Sequence, residues 1–152
     1  SSSSGQSNFS TLSANVSELL AINVTSIIDY GNLAIGATSL SDITATVANI
    51  GNIELDINLR GYGSIPEDNN SMICTYGNIP IGYERYNFTS GVAYAQMSNL
   101  SGLTTGITHP QFNLISQFNT SLSSRNIFWK MQIPTRVRGQ CTGTVVFSAI
   151  YG

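Results

Sequence analysis

Apolar and polar residues alternate with a period of two along several short stretches. In "IELDINLR", Ile53, Leu55, Ile57 and Leu59 point one way and Glu54, Asp56, Asn58 and Arg60 the other. That pattern predicts an antiparallel strand with one wet face. Just before it, Ile43, Ala45 and Val47 alternate with Thr44, Thr46 and Ala48, and "NIGN" (49–52) supplies the Asn and Gly of a turn. Near the other end, Ile127, Trp129, Met131 and Ile133 share a face opposite Phe128, Lys130 and Gln132. "PTRVRGQ" then predicts a turn. The closing "CTGTVVFSAIYG" sets Cys141, Val145, Phe147, Ala149 and Tyr151 against a face that also carries Val146 and Ile150, which predicts a central or doubly covered strand. Shorter candidates lie between: "SMICTYG", "YERYNFTS", "VAYAQMS" and "FNLISQF". No segment sustains an apolar stripe of helical period. Short strands separated by Gly, Pro and Asn predict an all-β fold, an antiparallel β-sandwich of Ig-like or jelly-roll type.

The N-terminal part reads differently. Ser1 to about Leu12 shows no alternation and is expected to be a flexible or docking extension. In Ala14 to Ser26, Leu20, Ile22 and Val24 share one face, with Leu19, Ala21, Asn23 and Thr25 on the other, which predicts a strand. The expected organisation is an extension with a candidate donor strand over 1–26, carried by Leu19, Leu20, Ile22 and Val24, followed by a β-sandwich over 27–152. With no initiator Met and no basic segment ahead of an apolar one, the chain reads as an already processed form, and "ELLAI", too short for the core of a signal peptide and carrying Glu18, is not a signal remnant.

Composition narrows the choice. Charged residues make up 9% of 152 residues, far below an average soluble protein, and the net charge is −2. Six Lys+Arg spread along the chain make no basic face, so a nucleic-acid partner is not expected. No apolar run approaches the ~20 residues of a spanning helix. Seven Asn-x-Ser/Thr triplets, at Asn8, Asn15, Asn23, Asn69, Asn87, Asn99 and Asn119, are about twice what an Asn/Ser/Thr-rich chain produces by accident. Covalent N-glycans replacing charge as the solubilising layer of a secreted chain are the functional reading. Accidental triplets are the plain one.

Two cysteines, Cys74 and Cys141, and one histidine, His109, are too few ligands for a dedicated metal site, and no metal or cofactor is expected. In a secreted chain a Cys74–Cys141 disulfide is the economical reading, beside two free buried thiols; closing a loop of that length stabilises by about 4 kcal/mol in the chain-entropy model. Glu54 and Asp56 have the spacing of a carboxylate pair but read as the solvated side of a strand. "PEDNN" (66–70) gathers oxygen ligands without the spacing of a calcium loop. Tyr76, Tyr83, Tyr86 and Tyr94 cluster in the middle and offer a sugar-binding platform as a minor reading. No catalytic constellation is found, and no enzyme is expected.

Two blocks carry a resemblance. "IIDYGNLAIGATSLSDITATVANIGNIELDINLRGYG" (27–63) is similar to secreted β-sandwich modules of archaeal surface proteins, in which a YG-x-L-x-x-G opening leads to a Thr/Val strand, N-x-G-N and an alternating strand. "NIFWKMQIPTRVRGQCTGTVVFSAIYG" (126–152) resembles their closing block, and the two cover 64 of the 152 residues. The chain departs from that pattern at Cys141, where an aromatic is expected. More loosely it resembles extracellular filament subunits, archaeal threads and TasA-like fibre proteins. That resemblance implies an N-terminal segment that completes a neighbour's sheet by donor-strand complementation, with copies of the chain itself as partner. The alternatives are a non-polymerising cell-surface or S-layer module and a carbohydrate-binding module.

Overall fold

The structure, a computed structural model, describes residues 9–19, 22–39, 41–51, 53–114 and 123–151. Its strands are β1 (Phe9–Leu19), β2 (Ile22–Val24), β3 (Ile27–Ala34), β4 (Ile43–Asn49), β5 (Leu55–Tyr62), β6 (Asn70–Tyr76), β7 (Asn78–Pro80), β8 (Glu84–Asn87), β9 (Ser98–Asn99), β10 (Ile107–Leu114), β11 (Ser124–Met131) and β12 (Arg138–Tyr151). They form two sheets. The larger runs β10-β5-β12-β1-β3, with β6 and β7 continuing beside β12; the smaller runs β2-β4-β11-β8-β9. The expected all-β sandwich is therefore the observed fold, and its ladders are antiparallel apart from β1 on β12.

The core lies between the sheets. Ala45 and Val47 of β4 and Ile127, Trp129 and Met131 of β11 face Leu55, Ile57 and Leu59 of β5 and Cys141, Val145, Phe147 and Ala149 of β12. Period-two alternation produces this arrangement directly, since successive side chains leave opposite faces of a strand. The last strand is central, as its apolar second face predicts: β1 pairs with it on one side, β6 and β5 in succession on the other.

Four expectations need correction. The strand predicted from Ile53 starts at Leu55, Ile53 is exposed, and its polar face is not wet: Asp56 and Asn58 are buried. Asn58 spends its amide on the Thr105 carbonyl and the Thr108 hydroxyl. "VAYAQMS" is mainly a single 3-10 turn, Tyr94–Gln96. The polar opening is not patternless either, because β1 begins at Phe9 and buries Leu12 and Ala14. The stretch from Ala14 to Ser26 divides between the sheets, with β1 ending at Leu19 and β2 pairing with β4 in the smaller sheet.

Candidate functional site

The N-terminal strand occupies a slot. β1 lies between β12, parallel to it from Ser10↔Gly139 to Leu19↔Ser148, and β3, antiparallel from Phe9↔Ala34 to Asn15↔Ile27. Leu12, level with Cys141 and Gly31, is completely buried, as is Ala14. Two residues separate β1 from β2 in sequence.

One wall of the slot is locked inside its own sheet. Cys74 of β6 and Cys141 of β12 stand directly opposite each other and form a disulfide. The strands approach so closely here that a Cβ on Gly143 would collide with the Ser71 carbonyl oxygen. Below the disulfide, β5 takes over from Thr144 to Tyr151.

The other wall, β3, is held from across the sandwich. The hydroxyl of Tyr30 donates to Glu84 Oε2 on β8 at 2.8 Å, and both residues are buried. Burial pushes the Glu84 carboxyl up to about 7, against the opposing effect of the Tyr30 hydrogen bond. The Tyr30 phenol is raised well above its ordinary value by burial and then by the Glu84 charge. The chain after β3 is fastened to the end of β11 and the residues just past it, Ser39 N–H donating to the Met131 carbonyl and Ile133 N–H to the Ala37 carbonyl.

Of the four residues expected on the donor strand, Leu19 closes β1, Ile22 is buried on β2, Val24 is half-buried beside it, and Leu20 lies outside the described residues. Sequence reading missed Leu12 and Ala14, whose alternation with Ser13 and Asn15 was the available signal. Among the sequons, Asn15, Asn23, Asn69 and Asn99 are exposed and Asn87 is half-buried, while Asn8 and Asn119 lie outside the described residues. The Ser71 hydroxyl of the Asn69 sequon is buried and donates to the Ile79 carbonyl.

The remaining candidates are dispersed. Glu54 is exposed and Asp56 buried. Asp68 accepts backbone N–H bonds from Gly63, Ser64, Ile65 and Asn70, and these outweigh burial to hold its carboxyl below the ordinary value. That makes "PEDNN" a tightly organised turn. Tyr86 is buried against Trp129 and Phe88 and is hydrogen-bonded to His109 Nε2 at 2.7 Å, so it offers no face to a sugar. Tyr83 and Tyr94 are half-buried, and Tyr76 is exposed under Arg138. Among the described residues no three of His, Cys, Asp and Glu gather as a metal site, and no helix is long and apolar enough to cross a membrane.

The chain matches no protein-family model, and no curated protein matches it.

Proposed function

We propose that the chain is a non-enzymatic structural subunit of a secreted, extracellular filament, polymerising by donating its N-terminal strand to the next copy. The observation that carries this reading is the position of β1. The first described strand, joined to β2 by two residues, fills an inner place in the larger sheet, so its departure opens a gap that an identical strand from another copy fits. An exposed edge is a template for pairing, and reciprocal giving and receiving of one strand propagates an open assembly. The disulfide supports an oxidising compartment. The low charge and the exposed sequons at Asn15, Asn23, Asn69 and Asn99 support a glycan coat.

Deleting residues 1–26 tests the reading. The truncated chain is expected to give no fibres by negative-stain electron microscopy, and normal fibres from it would sink strand donation.

One observation favours a second reading. β1 is paired on both sides within its own chain, with β12 over residues 10–19 and with β3 over residues 9–15, which suits a non-polymerising cell-surface module. That module stays monomeric in light scattering at high concentration, even after partial unfolding and refolding.

A further inference from the structure

The direction of β1 and the end at which it leaves its subunit constrain how it is passed on. Take the upper end of the sandwich as that of Phe9, Ala34 and Arg138, and the lower end as that of Leu19, Leu55 and Tyr151. β1 runs downwards, and it joins the body at the lower end, where β2 pairs with the end of β4. A strand donated in its present direction would leave its owner at the lower end and finish at the lower end of the acceptor. In an end-to-end stack the connection would then have to run the length of the slot, from Ser10 to Leu19, nine steps or about 30 Å. The two residues between β1 and β2 span about 7 Å, and releasing β2 as well gives seven residues, 20–26, spanning at most about 25 Å. Without that reach, the present direction brings two lower ends together, which yields a reciprocal pair or a sideways contact.

The two ends of the sandwich are unlike. Ile50, Ile53, Ile150 and Tyr151, each at least 40% exposed, gather at the lower end, where β1 leaves. The upper end holds an open cleft of about 640 Å³ lined by Gly36, Gly77, Pro80, Tyr83, Ile133 and Pro134 among others. An apolar projection at one end and a cleft at the other suit a heterologous, head-to-tail contact between copies.

We infer that β1 reverses on donation: it enters the next copy's slot from the upper end and runs antiparallel to β12 and parallel to β3. The inference rests on the strand-donation reading above. In the reversed state the lower end of the donor sits over the cleft of the acceptor, and two residues suffice as the connection. Reversal also suits the ladders. β1 has ten register pairs with β12 and seven with β3, and antiparallel pairing is slightly the more stable per residue, so the longer ladder gains. The parallel strand seen within one chain is then the resting, self-complemented form.

Engineered cysteine pairs in the full chain read the direction. Ser13 and Thr142 are register partners now, so Ser13→Cys/Thr142→Cys closes within one chain. Thr11 and Ser148 lie eight register positions apart, about 26 Å, beyond the reach of a disulfide. A reversed strand keeping its faces brings Thr11 opposite Ser148, or Ser17 opposite Gln140 in the neighbouring register. After partial unfolding and refolding at high concentration, Thr11→Cys/Ser148→Cys or Ser17→Cys/Gln140→Cys is expected to give a ladder of covalent oligomers on non-reducing gels. Oligomers cross-linked between chains only through Ser13→Cys/Thr142→Cys overturn the reversal and leave strand donation standing. Cross-linking confined to single chains, with monomers throughout, removes both.

Discussion

The two walls of the β1 slot are built on different principles. β12 is fixed sideways, by the Cys74–Cys141 disulfide to β6 and by the ladder to β5. β3 has β1 as its partner in the larger sheet and is otherwise tied across the sandwich, through Tyr30 to Glu84 and, in the chain that follows it, through Ser39 to Met131 of β11 and Ala37 to Ile133. Removing β1 takes one partner from β12 and leaves its ladders to β5 and β6, while β3 loses its partner in the larger sheet and keeps the packing of Ile28 and Tyr30 and a few polar contacts across the core. The contrast predicts that damage to β12 weakens the whole fold, whereas damage to the β3 anchors acts on the slot.

Taking β1 away gives the largest effect. It removes a fully buried Leu12, worth about 1.5–3 kcal/mol of burial, and two ladders of backbone hydrogen bonds at about 0.5–1.5 kcal/mol each bond. The entropy of ordering the strand, about 1–2 kcal/mol per residue, offsets much of this, and the net loss is still a large part of the about 5–15 kcal/mol typical of a domain. Deletion of residues 1–19 is expected to abolish the cooperative thermal transition in circular dichroism, and a peptide of residues 9–19 supplied in excess is expected to restore it. Two-state melting of the truncated chain without peptide would show that the walls hold each other.

The rigid wall is tested next. Replacing both Cys74 and Cys141 by Ala frees a 67-residue separation and is expected to cost about 4 kcal/mol in guanidinium denaturation. Gly143→Ala drives a Cβ into the Ser71 carbonyl and must push β6 off β12, so it is expected to cost at least 2 kcal/mol. Losses under 1 kcal/mol in both would mean that β12 is no stiffer than β3.

How much of this was readable beforehand depends on whether the cause was local. The strands around Val47 and Trp129 were legible because alternate positions, Ala45 and Val47 in one and Ile127, Trp129 and Met131 in the other, are apolar and buried. The disulfide was legible from a count of two cysteines. β1 was not, because Leu12 and Ala14 are its apolar signal while the conspicuous run Leu19–Ile22 straddles the change from one sheet to the other. The covered polar face of β5 depends on Thr105 and Thr108, far along the chain. Glu84 was also invisible, since its partner Tyr30 is 54 residues away and only the packing of two sheets brings them together.

The compliant wall responds to pH. The folded-state value of Glu84, about 7, lies above the ordinary carboxyl value, so its contribution is complete below about pH 4.5 and is lost as pH rises through 7. A shift of this size corresponds to about 3 kcal/mol. Glu84→Gln keeps an acceptor for Tyr30 and removes the charge. The variant is expected to match the parent within about 1 kcal/mol at pH 4.5 and to be more stable by up to about 3 kcal/mol at pH 8. The difference between the two proteins is the quantity to measure, because His109, held below its ordinary value by burial, acts in the opposite direction as pH falls below 6.5. Parallel pH profiles for parent and variant would remove Glu84 as an anchor sensitive to charge.

The smallest effect separates the walls at a single glycine each. Gly31 of β3 has φ +70 and no atom near the position of a Cβ, and its N–H is accepted by Asp29 Oδ1 at 2.8 Å. The ladder between β1 and β3 shifts register beside it, between Leu12 and Ser13. An alanine there meets no neighbour, so its cost is conformational, about 1–2 kcal/mol for holding an L-residue in the left-handed region. Gly31→Asn, which tolerates that region better, is expected to recover part of the loss. Gly143→Ala on β12 faces backbone instead, and asparagine at that position is expected to recover nothing. Equal rescue at both positions, by chemical denaturation, would mean that the two walls differ in their partners and not in their stiffness.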